Sequence, residues 1–138
     1  MICLNCNISI EDSKNKNRKF CCNKCQQDYQ YKEKVILWKS GLLKETKGSY
    51  QICQTIRKYL FIKYDSKCAL CGWNKINEKT GACPLEVEHL DGNSKNNNES
   101  NLILLCPNCH SLTPTYKGLN RGNGRKQRMA RYNLGKTF

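Results

Sequence analysis

At 138 residues, with a hydrophobic fraction of 38%, the chain suits one domain or two very small ones and is too polar for one large apolar core. The 24 Lys and Arg against 11 Asp and Glu leave a formal charge of +13, which favours an anionic partner such as nucleic acid. Eleven cysteines imply a disulfide scaffold or a zinc protein; with no signal-peptide pattern and no apolar run of membrane length, a reducing cytoplasm and metal ligation are the expectation.

The first predicted element is "CLNC", a gap of fourteen residues, then "CCNKC". Cys3, Cys6 and Cys25 supply three thiolates of a tetrahedral zinc site, and the spacing allows either Cys21 or Cys22 as the other. The run "KFCCNKC" resembles small treble-clef fingers of the aromatic-Cys-Ser-x-x-Cys type, with Cys22 in the serine's place, which favours Cys21. Residues 1–28 therefore read as an N-terminal four-cysteine zinc finger, a unit expected to fold little without its metal.

Residues 29–64 read as a helical connector of one or two helices, interrupted near Gly48, with "KETKGS" as a hinge. Ile52, Ile56, Tyr59, Leu60 and Lys63 fall near one face, and packing is the simplest role for Trp38, Ile52, Ile56 and Leu60. Arg57 and Lys58 lie beside that face and are candidates for phosphate contact.

The second cysteine set is Cys68 and Cys71, then Cys106 and Cys109, with 34 residues between the pairs. That gap exceeds an ordinary zinc ribbon, so something is built inside it. A strand Leu85 to His89, a turn beginning at Asp91-Gly92, an Asn-rich loop, a strand Leu102 to Leu105 and a helix opening at Pro107 make a β-hairpin followed by a helix, stapled at its base by zinc. Two tetrathiolate zinc sites would lower the net charge to about +9, still strongly basic.

"CPNCH", residues 106–110, also fits c-type haem attachment or a redox dithiol. Haem is disfavoured without export, with Met1 and Met129 the only candidate axial methionines. A dithiol lacks its βαβ context. Four thiols already satisfy a tetrahedral ion, which leaves the only two histidines, His89 and His110, for other work. With Glu88 beside His89 and a basic surround, that work is expected to be phosphodiester hydrolysis, which needs a base to activate water and a metal ion to stabilise charge.

"KCALCGW", "VEHLDGN", Asn101-Leu102 and "LLCPNCHSLTPTYKGLN" together resemble the HNH endonucleases with a ββα-metal core, most of all the small phage-encoded members often treated as homing endonucleases, over roughly residues 60–124. The resemblance implies an α+β, small, zinc-stabilised fold: a treble-clef-like ββα-metal HNH core at residues 65–120 joined by helices to the N-terminal finger. It implies a metal-dependent DNA endonuclease acting on double-stranded DNA, in the host cytoplasm if phage-encoded. His89 would be the general base, and Glu88 and His110 would hold one Mg2+, Mn2+ or other divalent cation. Asn101 would bond across the hairpin loop and keep His89 aimed. Asp is frequent at the Glu88 position, so the longer side chain departs from the pattern. Adjacent strand residues face opposite sides, so Glu88 and His89 can serve one site only if the chain bends at "DGN".

After Glu99 the chain carries no acid. Lys117, Arg121, Arg125, Lys126, Arg128 and Arg131 follow, and the tail, residues 121–138, is expected to give salt-sensitive, sequence-independent DNA affinity. Cys53 and Cys83 read as plain thiols. A competing class is a catalytically silent DNA- or RNA-binding regulator, with Tyr29, Tyr31, Trp38 and Tyr116 as stacking surfaces. The intact Glu88, His89, Asn101 and His110 set counts against it, because a binder needs no water-activating group.

Overall fold

The computed structural model describes residues 1–10, 17–43, 52–120 and Leu134. The "KETKGS" hinge and the tail cations Arg121, Arg125, Lys126, Arg128 and Arg131 lie outside the described residues. The chain divides into two compact units, Met1–Lys44 and Glu45–Phe138.

In the first unit the opening residues double back on themselves. Ile2 and Ser9 form an antiparallel bridge. Between them Asn7, at φ +58°, donates its N–H to the Cys3 carbonyl, so Cys3 and Cys6 flank one tight turn. Helix α1, Asn23–Lys39, starts directly after the second cysteine pair opens and buries Trp38 near its end. Its stop is local: Gly41 at φ +73° lets the N–H groups of Gly41 and Leu42 reach back to the carbonyls of Trp38 and Leu37, the paired bonds of a Schellman motif.

The second unit is built on a hairpin too short to stand alone. Strand β1, Glu86–His89, pairs antiparallel with β2, Leu102–Leu105, in the register Glu86 opposite Leu105 and His89 opposite Leu102. Pairing thus begins at Glu86, one residue later than expected, while Leu85 is buried in the core. The strand β2 is wholly apolar and mostly buried, whereas β1 is polar at three of its four positions, so β2 carries the core and β1 presents chemistry.

That core is small: Cys68, Leu85, Leu104, Leu105 and Cys106 are buried together, with Phe61, Tyr64, Trp73 and Val87 packed around them. Two of the five are cysteines of a group that could hold a metal ion, and an ion there would cross-link a core short of apolar volume. Helix α2, Gln54–Lys63, lies in this unit. It buries Ile56 and Leu60, and from it Tyr59 Oη and Lys63 Nζ both donate to Glu99 Oε1, at 2.6 and 2.9 Å. Glu99 opens a 3-10 turn, Glu99–Asn101, leading into β2. Helix α3, Pro107–Ser111, follows β2 without a loop; Cys106 caps it, its sulfur accepting from the Cys109 N–H, and Pro107 occupies the first turn where no N–H is needed.

Candidate active site and metal centres

Two groups of four cysteines could hold a metal ion, Cys3, Cys6, Cys21 and Cys25 in the first unit and Cys68, Cys71, Cys106 and Cys109 in the second. Neighbouring sulfurs stand 3.6 Å apart in Cys6–Cys21, 3.4 Å in Cys21–Cys25 and 3.7 Å in Cys71–Cys106. A tetrahedron with zinc–sulfur bonds of about 2.3 Å has edges of about 3.8 Å, so both groups already approximate the coordination shell of zinc. Cys22 lies outside the first group; it is exposed and occupies the N-cap of α1. Burial works against charge on Cys3 and Cys68, yet nearby backbone hydrogen bonds, from Cys21, Cys6 and Asn5 in one case and from Cys106, Cys71 and Leu70 in the other, bring each thiol down to about 6. Hydrogen bonding to Cys71 pushes the Cys109 thiol up to about 12.

Knuckle geometry follows from local sequence. Gly72 at φ +74° closes the Cys68–Cys71 turn, its N–H on the Cys68 carbonyl, while the Cys68 N–H meets the Trp73 carbonyl. The Ala69 N–H bonds the Leu104 carbonyl and ties this knuckle to β2. His110 follows Cys109 on α3, so the knuckle that positions the sulfur also positions the imidazole.

His110 meets β1. Its Nε2 lies 2.8 Å from Glu88 Oε2 and its Nδ1 lies 2.6 Å from Glu86 Oε2. The other oxygen of Glu88 accepts from Thr115 Oγ1 at 2.7 Å, so that carboxylate is held at both ends. Tyr116 sets its ring edge-on to His110, with centroids 5.2 Å apart at 86°. Among sequence-derived candidates, Glu88 and His110 therefore meet directly. They suit a hard divalent cation: cis ligands of an octahedral ion with bonds of about 2.1 Å are about 3.0 Å apart, close to the spacing of Glu88 and His110.

His89 takes a different partner, as neighbouring strand positions must. Its Nε2 lies 2.7 Å from Asn97 Oδ1. An amide oxygen only accepts, so Nε2 is the donor in this contact. Beyond His89 the chain turns at once: the Gly92 N–H donates to the His89 carbonyl, with Gly92 at φ +70°.

Asn101, the buried polar residue among those described, works on that turn rather than on the imidazole. Its Oδ1 accepts from the Asp91 N–H, and its Nδ2 donates to Asp91 Oδ1 and to the Asn96 carbonyl. Asp91 also accepts from Asn96 Nδ2 and the Asn93 N–H, and these bonds, that from Asn96 first, hold its carboxyl below the usual range. A 3-10 turn, Lys117–Asn120, brings Asn120 Nδ2 onto the Gly92 carbonyl from the other side.

Glu86, Asn97, Asp91, Thr115 and Asn120 were absent from the sequence-derived site. Glu86 alone carried a signal, since two residues along a strand share a face. The rest are joined by tertiary contacts with no sequence period. Of the candidate DNA contacts, Arg57 donates to the Leu85 carbonyl at 3.0 Å and covers Phe61, which gives it a part in joining α2 to β1. Lys58 is exposed on the same helix, and Lys117 sits over the Tyr116 ring. No helix among the described residues is long and apolar enough to cross a membrane.

Comparison with known proteins agrees with this geometry. Over 56 residues, 41% of the chain, the sequence is 55% identical to the H-N-H endonuclease F-TflIV of Escherichia phage T5. The matched stretch is 24% of that protein, so the chain spans about a quarter of the length of the curated relative it matches. No protein-family model matches the chain, and no solved structure matches it. The likeness to a phage HNH endonuclease is thus a sequence homology over part of the chain.

Proposed function

We propose that this chain is a metal-dependent HNH endonuclease that hydrolyses phosphodiester bonds of double-stranded DNA, phage-encoded and of homing type. The hairpin, α3 and the second cysteine group would form its ββα-metal core. The observation that carries this reading is the meeting of Glu88 and His110 at 2.8 Å on the strand position next to His89. The homology to a phage H-N-H endonuclease supports it.

Each residue has a separate task. Nδ1 of His89 accepts a proton from the attacking water, and Asn97 keeps the opposite nitrogen protonated so that the ring is oriented and in the correct tautomer. Glu88 and His110 would hold the divalent cation, which supplies charge stabilisation for the phosphate and the leaving oxygen. Asn101 holds the turn that follows His89. The two cysteine groups would each hold Zn2+ and take no part in the chemistry.

Incubation of the zinc-loaded chain with plasmid, with and without Mg2+ or Mn2+, tests the reading. Cation-dependent cleavage is expected, and His89→Ala should lower it by ~10²–10⁴-fold with zinc content unchanged. Parental cleavage by that variant would remove His89 from its role.

A further inference from the structure

We infer that Glu86 is the positioning residue of the cation site: it accepts the Nδ1 proton of His110 and thereby commits Nε2, beside Glu88, to the cation. The inference rests on the reading of Glu88 and His110 as the cation pair and adds the group that makes His110 a competent ligand.

Strand geometry comes first. Glu86 and Glu88 are two residues apart on β1 and so share a face, and that face meets His110 on α3. The ring is gripped at both nitrogens, 2.6 Å from Glu86 and 2.8 Å from Glu88. Each contact joins one ring nitrogen to one carboxylate oxygen. A cation can take only one of those two nitrogens while the contact at the other survives.

Several features select the Glu88 end. Glu88 retains 12% of its side-chain exposure and its second oxygen is fixed by Thr115, whereas Glu86 is 55% exposed. Glu88 also directly precedes His89, while Glu86 pairs at the far end of the strand with Leu105. Tyr116, edge-on to the imidazole, opposes a ring flip that would exchange the two nitrogens. Without an acceptor at Nδ1 a neutral imidazole populates both tautomers, and one of them puts a proton where the cation must bind.

The test uses the full chain with both cysteine groups zinc-loaded. Mn2+ affinity is measured by titration calorimetry, and the His110 tautomer in the cation-free, zinc-loaded chain is read from long-range 15N–1H correlations. Glu86→Ala should mix the tautomers and weaken Mn2+ binding by about 10–100-fold, the usual effect of losing such a partner. Glu86→Gln keeps a carbonyl acceptor and should retain both the tautomer and most of the affinity. Glu88→Ala should abolish binding at this site. If Glu86→Ala leaves tautomer and affinity unchanged while Glu88→Ala loses the ion, Glu86 is a surface carboxylate and the inference falls alone. If Glu86→Gln loses the ion as completely as Glu88→Ala, Glu86 is itself a ligand, which also overturns it. If Glu88→Ala binds Mn2+ normally, the cation pair was misassigned and both readings fail.

Discussion

Thr115 Oγ1 donates to Glu88 Oε1 at 2.7 Å, joining the segment that follows α3 to the middle of β1 across 27 residues of sequence. Beside that bond, Asn120 holds the Gly92 carbonyl. The segment after α3 therefore supports both the carboxylate and the turn that follows His89.

Gly92 is the tightest point of the turn. A Cβ there would stand 2.3 Å from Asn120 Oδ1 and 2.9 Å from Thr115 Cγ2, on backbone at φ +70°. Gly92→Ala should destabilise the second unit by at least the roughly 1–2 kcal/mol of the left-handed conformation. Asn120→Ala in the same chain should relieve the closer clash and leave the contact with Thr115 and the backbone cost. Thermal denaturation of the single and double variants checks this, and equal stability of Gly92→Ala and the parent would refute it.

Asn97→Ala leaves His89 in place but removes the acceptor of its Nε2 proton. Cleavage should fall by about 10–100-fold, less than for loss of the imidazole itself, because the base survives misaligned. Single-turnover rates at saturating DNA separate this from weaker binding, which should be unchanged.

Asp91 makes the turn sensitive to acid. Hydrogen bonds from Asn96, the Asn93 N–H and Asn101 depress its carboxyl in the folded chain. A depressed carboxyl contributes stability that is present above its unfolded value near 3.8 and is lost as pH falls through the folded value. Amide exchange in residues 90–101 should therefore accelerate, relative to the rest of the second unit, as pH drops below that range once intrinsic rates are divided out. Asp91→Asn should exchange faster at neutral pH and show little of this acid dependence.

Cys68 belongs both to a cysteine group that could hold zinc and to the apolar core, so its loss should not resemble loss of a catalytic group. Cys68→Ser is expected to lower zinc content and unfold the second unit together, with near-ultraviolet circular dichroism lost in step. A strong chelator should do the same to the parent chain. Retention of native dichroism after complete removal of zinc would show that Leu85, Leu104 and Leu105 suffice without the ion.

Much of the site is legible in the chain because its geometry is local. Cysteine spacing announces two groups of four, since a Cys-x-x-Cys turn brings two sulfurs together by backbone conformation alone. The position of His110, one residue past a ligand at the start of a short helix, follows from the same turn. Glu88 and His89 are adjacent, and their opposite orientations follow from the strand period. Sequence spacing left Cys21 and Cys22 open, and only the folded chain puts Cys21 among the four sulfurs, with Cys22 at the N-cap of α1. The partners of the active groups were not legible either. Asn97 on His89, Thr115 on Glu88, Asn120 on Gly92 and Arg57 on the Leu85 carbonyl are contacts between side chains and groups 8 to 28 residues apart. Such contacts depend on where the hairpin, α2 and the segment after α3 come to rest, and no residue period encodes that. The sequence by itself named the groups that are candidates to bind metal or move a proton; the tertiary structure decided what each of them leans on, because hydrogen-bond partners are chosen by packing in space.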